Sequence, residues 1–363
     1  MDASVEDAAR RLALQPSAHL MSVATAVPPH ILKQDEAAAL AHEIFASRYG
    51  DFVRLSRVFE TSGIRQRHAV RPLEWYATSL GWPERTAVYL EGAESLFVDS
   101  ATRALAGAGC SAQAVDTVVT VSSTGIATPS LDARVMGRMG FRPDVSRVPV
   151  FGLGCAGGVT GLSIAARLAT ARPGTNVLLV VVELCTLAFR MDELTKANVV
   201  ASALFGDGAA ACILRAGEGG LARIDGAGEY TWPDTLDIMG WNVDPQGFGV
   251  VFAQAIPPFA KENVGPAITA ILARSGRRLS DIDRFVCHPG GRKVIMALES
   301  ALRLDAGSLD HERDVLDSHG NMSAPTVLFV LERVIASGLP ELSAVNAMGP
   351  GFSTSCVVLT RVP

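Results

Sequence analysis

The sequence has few aromatic residues, few charged residues and no surplus of positive charge. Aromatic residues make up 6% of the 363 positions, charged residues 19% and hydrophobic residues 48%, a share that is too high for a disordered chain. The 32 lysines and arginines are outnumbered by 37 aspartates and glutamates, which gives a formal net charge of -5. Binding of nucleic acid depends on a basic surplus that neutralises phosphates, so we expect no nucleic-acid partner.

Long apolar runs and clustered cysteines are also missing. The longest strongly apolar run, residues 177–182, is far shorter than the roughly 20 residues of a membrane span. Residues 1–11 contain three acidic side chains and lack the apolar core of a secretory signal. The six cysteines are scattered, without the short paired spacing of zinc sites or disulfide frameworks. We therefore expect a globular, cytoplasmic protein without a membrane span or a metal, in which most cysteines are small buried residues.

Short β-branched runs alternate with longer segments rich in alanine and leucine. The runs predict four buried strands, at residues 118–121, 148–151, 177–182 and 209–214. The segments between these strands predict helices. This alternation is typical of an α/β protein whose sheet is covered by helices on both faces. The sequence Gly-Glu-Gly-Gly at 217–220 predicts a linker, which divides the chain into residues 1–216 and residues 217–363.

The two predicted halves contain a faint internal repeat, in which residues 105–121 align without a gap with residues 272–288. Both segments have a leucine, a glycine and an aspartate at the same spacing: Leu105, Gly109 and Asp116 in the first, and Leu272, Gly276 and Asp283 in the second. Two copies of one α/β unit, related by a pseudo-twofold axis, would present Cys155 and Asn321 from facing helix N-termini. The repeat therefore predicts a site between the halves.

Cys155 is the predicted nucleophile. It lies in the sequence Phe-Gly-Leu-Gly-Cys-Ala-Gly-Gly, after a predicted strand and at the first turn of a predicted helix. Its small neighbours leave the sulfur approachable, and the unpaired N–H groups at the helix N-terminus are expected to lower the thiol pKa. The alternative is a buried structural cysteine, which we expect for the other five.

His288 and Asn321 are the predicted partners of the nucleophile. His288 ends a predicted strand and precedes Pro-Gly-Gly, so its imidazole points toward the strand's carboxyl end, where open α/β sheets bind ligands. It can serve as a base or an imidazolium partner for a thiolate, and as a donor to an oxyanion. The Asn321 amide precedes a predicted helix and can stabilise an enolate or a thioester carbonyl. A satisfied core histidine and an ordinary helix cap are the alternatives.

These motifs resemble those of the type III polyketide synthases, the chalcone-synthase-like branch of the thiolase superfamily. The resemblance covers nearly the whole chain, and its motifs occur in order: Gly154-Cys155-Ala-Gly-Gly, Leu204-Phe205-Gly-Asp-Gly-Ala-Ala-Ala, His288-Pro-Gly-Gly, Gly320-Asn321-Met-Ser-Ala and Gly349-Pro-Gly-Phe. It implies a thiolase-like, duplicated, five-layered αβαβα fold with the cysteine in the first half and the histidine and asparagine in the second. It also implies a homodimer.

The resemblance implies an acyltransferase that condenses malonyl-CoA with an acyl-CoA starter. Cys155 would carry the acyl chain, while His288 and Asn321 would polarise the thioester carbonyl as malonyl-CoA loses carbon dioxide. The resulting enolate attacks the acyl thioester, and the chain returns to Cys155 for another round. The CoA thioesters are substrates, so the resemblance implies no cofactor.

The resemblance also assigns residues to substrate binding. Phe205 and Phe252 match an aromatic pair between the CoA tunnel and the cavity, with an ordinary aromatic core as the alternative. Arg54 and Arg57 fall where basic residues meet the CoA phosphates, a task that suits guanidinium groups, although a solvated surface would have the same composition. Ala188 stands where plant enzymes often have threonine, which leaves room for a longer chain.

The small residues favour a bacterial enzyme with a medium or long fatty acyl starter, whose product is an alkylpyrone or an alkylresorcinol. Glu183, Ser123 and Ser323 match a hydrogen-bond network that favours aldol closure in some members, so the resorcinol stays open. A β-ketoacyl-acyl-carrier-protein synthase III, which shares the three predicted catalytic residue types, is one alternative. A catalytically silent, ligand-binding homologue is the other.

Overall fold

The computed structural model describes residues 16–78 and 80–363. The segment 1–11, which we predicted not to be a secretory signal, lies outside these described residues. The strands are β1 Ala18–Ala26, β2 His30–Lys33, β3 Gln66–Ala69, β4 Val115–Val121, β5 Ser146–Val150, β6 Asn176–Leu184, β7 Asp207–Ala216, β8 Ala222–Thr231, β9 Met239–Asp244, β10 Gly247–Phe252, β11 Arg284–Cys287, β12 Leu342–Gly349 and β13 Ser353–Arg361. The α-helices are α1 Gln34–Phe45, α2 Phe52–Leu55, α3 Arg57–Thr61, α4 Trp82–Gly107, α5 Leu131–Met139, α6 Gly157–Ala171, α7 Lys196–Leu204, α8 Ile256–Ala273, α9 Arg292–Ala301, α10 Asp310–His319 and α11 Thr326–Ala336.

The four strands predicted from β-branched runs are β4, β5, β6 and β7, and the segments between them contain helices as predicted. One end differs, because β5 stops at Val150 and Phe151 lies beyond it with 57% of its surface exposed. Residues 177–184 of β6 are all buried. Such a run has no polar face because helices cover both sides of the strand.

The topology of the main sheet shows the duplication. Within the described residues it has nine strands in the order β11-β12-β13-β8-β1-β7-β6-β4-β5. In the first half β4 is parallel to β6, and β6 is antiparallel to β7; in the second half β11 is parallel to β12, and β12 is antiparallel to β13. A short antiparallel contact between β1 and β8 joins the halves. The β5 strand forms one edge of the sheet.

Helices lie between the two halves of this sheet and on their outer sides, which gives five layers in all. The α6 and α11 helices contact each other and strands of both halves, and their apolar side chains share one buried cluster with those strands. On the outer sides, α4 packs on β1, β6 and β7, while α8 packs on β8 and β13. The predicted thiolase-like αβαβα fold is therefore confirmed. No helix of the described residues is long and apolar enough to span a membrane.

The internal repeat is visible in matching turns. Gly109 and Gly276 end the helix of each repeat with φ angles of 59° and 68°, the left-handed conformation that favours glycine. In each turn the next residue's N–H donates to the carbonyl of the leucine four residues before the glycine, at 2.9 Å and 3.1 Å. The carboxylates of Asp116 and Asp283 then each accept a backbone N–H from the neighbouring strand at 2.9 Å. The aligned residues thus perform the same structural task twice.

Candidate active site

Cys155 lies in a tight turn that leads into the central helix α6. Residues Gly154–Ala156 form one 3-10 turn, which runs directly into α6. Gly154 has a φ of 46°, and a Cβ atom placed on it would lie 2.6 Å from the Cδ atom of Pro350. Glycine is required here because the motif that starts at Gly349 packs against this turn. The predicted place of Cys155, after a strand and at the start of a helix, is confirmed.

A cavity in front of Cys155 brings five of the predicted site residues together. They are Ser123, Cys155, Phe205, Phe252 and Ser323. Phe205 follows α7 directly, and Phe252 is the last residue of β10, so the cavity lies between α6 and the β9–β10 hairpin. Asn321 and Glu183 do not line the cavity, but each is hydrogen-bonded to a residue that does.

The Cys155 thiol does not have the lowered pKa that its place at the helix start predicts. Cys155 is buried, and this burial raises the pKa of its thiol to about 11, although a hydrogen bond with the Ser323 hydroxyl opposes the rise. The negative charge of Glu183 adds to the rise. This corrects the expectation, because loss of solvation outweighs the helix terminus when the sulfur is fully enclosed.

His288 is a buried histidine whose side chain has no hydrogen-bond partner among the described residues. Its backbone N–H donates to the Asn346 carbonyl at 2.9 Å, which continues the pairing of β11 with β12. Both ring nitrogens lack a partner in the described part of the chain, and burial lowers the pKa of His288 to about 3. The imidazole is therefore neutral at pH 7, with one nitrogen free to accept a proton and one N–H free to donate.

Asn321 holds its amide in a defined orientation. Its Oδ1 atom accepts the Ser323 N–H at 2.8 Å, and its Nδ2 atom donates to the Gly290 carbonyl at 3.3 Å. Gly290 in turn donates its N–H to the carbonyl of His288 at 3.0 Å. Contacts therefore run from Cys155 through Ser323, Asn321 and Gly290 to His288, while the structure shows no hydrogen bond between the Cys155 and His288 side chains.

The backbone around Asn321 differs from the prediction of a facing helix N-terminus. Asn321 follows α10 and precedes the first residue of α11, Thr326, by five positions. Instead of opening a helix, it forms an isolated parallel β-bridge with Phe205. The bridge joins the two halves of the chain and places Asn321 of the second half next to the cavity residue Phe205.

Glu183 is fully buried behind the cavity. Its carboxylate accepts two hydrogen bonds from the Ser123 N–H, at 2.9 Å and 3.1 Å, and one from the Thr124 hydroxyl at 2.7 Å. Burial raises the pKa of Glu183 to about 8, although these hydrogen bonds oppose the rise. The predicted network thus differs in detail, because Ser123 contributes its backbone, Ser323 bonds to other groups, and Thr124 was not predicted.

Two further cavity residues, Cys185 and Trp241, were missed by sequence reasoning. The Trp241 indole N–H donates to the Ser123 carbonyl at 2.8 Å and its ring lies 6.4 Å from that of Phe205, between centroids. Cys185 is buried, as predicted, but it also lines the cavity. Its place directly after β6, beside the end of β4, was a usable signal, because neighbouring parallel strands end at one sheet edge. No local pattern distinguishes Trp241.

A second, mostly apolar cavity lies on the other side of Cys185 and Phe205, which line both cavities. Its apolar lining comes from β2, α1 and the chain around α7, and it includes Leu32, Ala37, Leu40, Leu73, Phe189 and Ala201. Ala188 lines neither cavity; it is buried against Phe205, Trp241 and Phe252. Ala188 thus lies behind the aromatic side chains that line the Cys155 cavity.

The predicted CoA-binding arginines lie on the surface, outside the two cavities. The Arg54 side chain is 72% exposed and pairs with Asp51 at 3.2 Å, and Arg57 is exposed at the start of α3. Gly63, two residues after α3, packs beside Arg292, since a Cβ atom on Gly63 would lie 3.6 Å from the Arg292 Cβ. Arg292 therefore adds a basic side chain near the end of this helix.

The chain is similar in sequence and in structure to known proteins over nearly its whole length. Residues 5–218 match the family model of chalcone and stilbene synthases, N-terminal domain, and residues 224–363 match the C-terminal domain. A 1,3,6,8-tetrahydroxynaphthalene synthase of Streptomyces peucetius is 38% identical over 93% of this chain and 92% of its own length. An alpha-pyrone synthesis polyketide synthase-like protein of Mycobacterium tuberculosis is 31% identical over 91% of this chain and 88% of its own. The crystal structure of 1,3,6,8-tetrahydroxynaphthalene synthase from Streptomyces coelicolor superposes with a TM-score of 0.90 at 29% identity, covering 95% and 99% of the two chains.

Proposed function

Because this chain belongs to the chalcone and stilbene synthase family of type III polyketide synthases, which are CoA-dependent decarboxylating acyltransferases, we propose that Cys155, His288 and Asn321 perform its condensation reaction. The observation that carries this proposal is a buried cluster: Cys155 lines the cavity, the Asn321 amide is held by the backbone of the cavity residue Ser323, and the His288 imidazole has no hydrogen-bond partner among the described residues. Family membership argues against a carrier-protein-dependent synthase III, and the presence of Cys155, His288 and Asn321 together argues against a silent homologue.

The first step is transfer of an acyl group to Cys155. The Cys155 sulfur attacks the carbonyl carbon of the acyl-CoA thioester, and its proton passes to the neutral imidazole of His288. The CoA thiolate leaves and takes up a proton. Burial raises the pKa of the Cys155 thiol and lowers that of the His288 imidazole, so each group is neutral when it is buried alone. Transfer of the proton therefore forms the thiolate and the imidazolium together, and the attraction between the two charges stabilises both.

The second step is decarboxylation of malonyl-CoA. Loss of carbon dioxide leaves its electron pair on the thioester as an enolate, whose oxygen accepts hydrogen bonds from His288 and the Asn321 amide. The Ser323 N–H holds the Asn321 Oδ1 atom, so the amide presents its N–H group to the oxygen. The enolate carbon then attacks the acyl thioester on Cys155, and the Cys155 thiolate leaves.

The starter of this enzyme is a medium or long fatty acyl-CoA, and the product is an alkylpyrone or an alkylresorcinol. The second cavity supports this assignment, because its apolar lining suits an alkyl chain and because Cys185 and Phe205 line both this cavity and the Cys155 cavity. Incubation with malonyl-CoA and acyl-CoAs of graded length, with products identified by mass, tests it. Failure to extend any acyl-CoA beyond short chains would contradict the assignment.

Replacing Cys185, which lines both cavities, with phenylalanine is expected to fill the space through which an alkyl chain would extend from one cavity into the other. In the same acyl-CoA series, this variant should lose about tenfold or more of its activity with long starters and keep its activity with short ones, because the larger side chain removes space for the chain. Cys185→Ala is the matched control and should keep or extend the accepted length. An unchanged length profile for Cys185→Phe would mean that the alkyl chain does not pass this residue.

A second product class comes from the relatives. A 1,3,6,8-tetrahydroxynaphthalene synthase, at 38% identity, is more similar in sequence than the alpha-pyrone relative, at 31%. A reaction with malonyl-CoA as the sole substrate separates the two possibilities, since a hydroxylated naphthalene product would favour the first. The buried carboxyl of Glu183, whose pKa burial raises to about 8, lies behind the cavity and is bonded to the cavity residues Ser123 and Thr124, which keeps the resorcinol among the candidates.

The CoA phosphates are bound by Arg54 and Arg57, with Arg292 as a third cation near the end of α3. Exposed guanidinium groups suit this task, because they form paired hydrogen bonds with phosphate oxygens and stay charged at all physiological pH values. The exposure of Arg54 and Arg57 supports the assignment, since the phosphates of CoA remain in solvent while the acyl group enters the cavity.

The protein is a homodimer that associates along the β5 edge. This edge strand presents unpaired backbone groups, and the exposed side chains of Phe151 and Ile126 line a cleft next to it. Light scattering after gel filtration is expected to give the mass of two chains for the wild type and of one chain for Phe151→Glu. Leu236→Glu, at an 83% exposed position outside this cleft, should stay dimeric. A dimeric Phe151→Glu variant would place the interface elsewhere.

A further inference from the structure

Arg67 is a buried cation that lines the second cavity and has no part in the chemical steps described above. It lies on β3 and is 2% exposed. Its Nη1 atom donates to two carbonyls at the end of α7, that of Ser202 at 2.8 Å and that of Phe205 at 2.7 Å. Burial of a guanidinium group is costly, so a protein retains one where its fork of donors performs a task that an apolar side chain cannot.

The charge of Arg67 is balanced from within the same region. Burial lowers the pKa of Arg67 to about 10, and the nearby carboxylate of Asp207 opposes this change. Asp207 is itself held by the N–H groups of Val70 at 2.9 Å and Thr186 at 2.8 Å, and by the Thr186 hydroxyl. Arg67 thus stays charged at pH 7, and these hydrogen bonds hold the Asp207 carboxylate in a defined place at the start of β7.

The aliphatic part of Arg67 fills the space next to Gly320. A Cβ atom placed on Gly320 would lie 2.7 Å from the Arg67 Cγ and 2.7 Å from the Leu204 carbonyl oxygen. Gly320 also has a φ of 68°, which favours glycine. Arg67 therefore touches the residue that directly precedes Asn321, in addition to the carbonyl of Phe205.

These two contacts lie on the two sides of the β-bridge between Phe205 and Asn321. The Asn321 N–H donates to the Leu204 carbonyl at 2.8 Å, and the Gly206 N–H donates to the Asn321 carbonyl at 3.0 Å. Phe205, on one side of the bridge, lines the cavity, and Asn321, on the other side, carries the amide to which we assign the enolate oxygen. Arg67 is the side chain that contacts both.

We propose that Arg67 is a positioning residue for decarboxylation, which holds the Phe205–Asn321 bridge so that the Asn321 amide stays aligned with the enolate oxygen. The inference rests on the proposed role of Asn321. It predicts that a change at Arg67 affects decarboxylation more than acyl loading, because Cys155 is positioned by α6 and the Gly349 motif, which Arg67 does not contact.

Arg67→Lys is the decisive variant, since lysine keeps the charge but has a shorter side chain without the guanidinium fork, so its nitrogen cannot take the place from which Nη1 bonds both carbonyls. We expect carbon dioxide release from malonyl-CoA at saturating substrate to fall about tenfold or more, because small misplacements of a catalytic group cost that much. Because Arg67 also lines the second cavity, acylation is measured with a short acyl-CoA; its rate, followed by intact mass, should stay within about twofold of the wild type. Arg65→Met, which removes an exposed arginine two residues away, should change neither rate.

Three results would overturn the proposal. Carbon dioxide release at the wild-type rate in folded Arg67→Lys would show that the fork is not needed. Equal losses in acylation and decarboxylation, or loss of the folded state in a thermal melt, would assign Arg67 to the general frame of the protein. Failure of the proposed function itself is distinguishable, because the wild-type enzyme would then show no acylation of Cys155 or no release of carbon dioxide.

Discussion

Cys155→Ala is expected to abolish acyl loading and with it all product, a loss of at least about a thousandfold, because the covalent intermediate can no longer form. The measurement is the intact mass of the protein after incubation with an acyl-CoA, which increases by one acyl group in the wild type. Product formation in the presence of malonyl-CoA should disappear in parallel.

Cys185→Ala is the matched control, because Cys185 lines the same cavity as Cys155. Burial raises the pKa of Cys185 well above its ordinary value, and the negative charges of Glu183 and Asp207 add to the rise. The Cys155 thiol has a hydrogen bond with Ser323 that opposes the rise of its own pKa, whereas no side chain does this for Cys185, so Cys185→Ala should load acyl groups normally. Acylation that survives in Cys155→Ala and disappears in Cys185→Ala would reverse the assignment of the nucleophile.

Asn321→Ala is expected to reduce carbon dioxide release from malonyl-CoA by about 100-fold to 1,000-fold, the usual effect of removing one donor to an oxyanion. Acyl loading on Cys155 should persist, since the thiol and His288 are unchanged. The measurement compares carbon dioxide release with the intact mass of the acylated protein, so one variant gives both rates.

Asn263→Ala is a suitable control for this variant. Asn263 lies on α8, and its amide donates to the Phe259 carbonyl at 2.9 Å, outside the Cys155 cavity. Both rates should equal those of the wild type. If Asn321→Ala released carbon dioxide at the normal rate, His288 or backbone groups would have to stabilise the enolate, and the role of the amide would be wrong.

The fold could be predicted to a large extent because its signals are local. Buried strands such as β6 form continuous β-branched runs, and the glycines at 109 and 276 are required by left-handed turns. The place of Cys155 was likewise predictable, since a strand, a glycine-rich turn and a helix follow one another in the chain. Patterns of this kind are predictive because they reflect the backbone conformation of residues that are neighbours in the chain.

The chemistry of the site was harder to predict, because it depends on contacts between distant segments. The thiol pKa of Cys155 is determined by its burial beneath Ser323 and the Pro350 turn, which no spacing along the chain reveals. Trp241 enters the cavity because the β9–β10 hairpin folds over it, and Arg67 contacts both Phe205 and Gly320 only when the two halves pair. The sequence contains these residues but does not reveal which distant residues they contact.

The shared central layer of α6 and α11 makes the two halves dependent on each other. Each half-sheet covers one side of both helices, so a fragment made of either half alone would expose an apolar surface that the other half normally covers. The repeated unit therefore no longer has the properties of a separable module. A gene split at the glycine-rich turn would yield two polypeptides that depend on co-expression, and any recombination between relatives must exchange α6 and α11 as a matched pair.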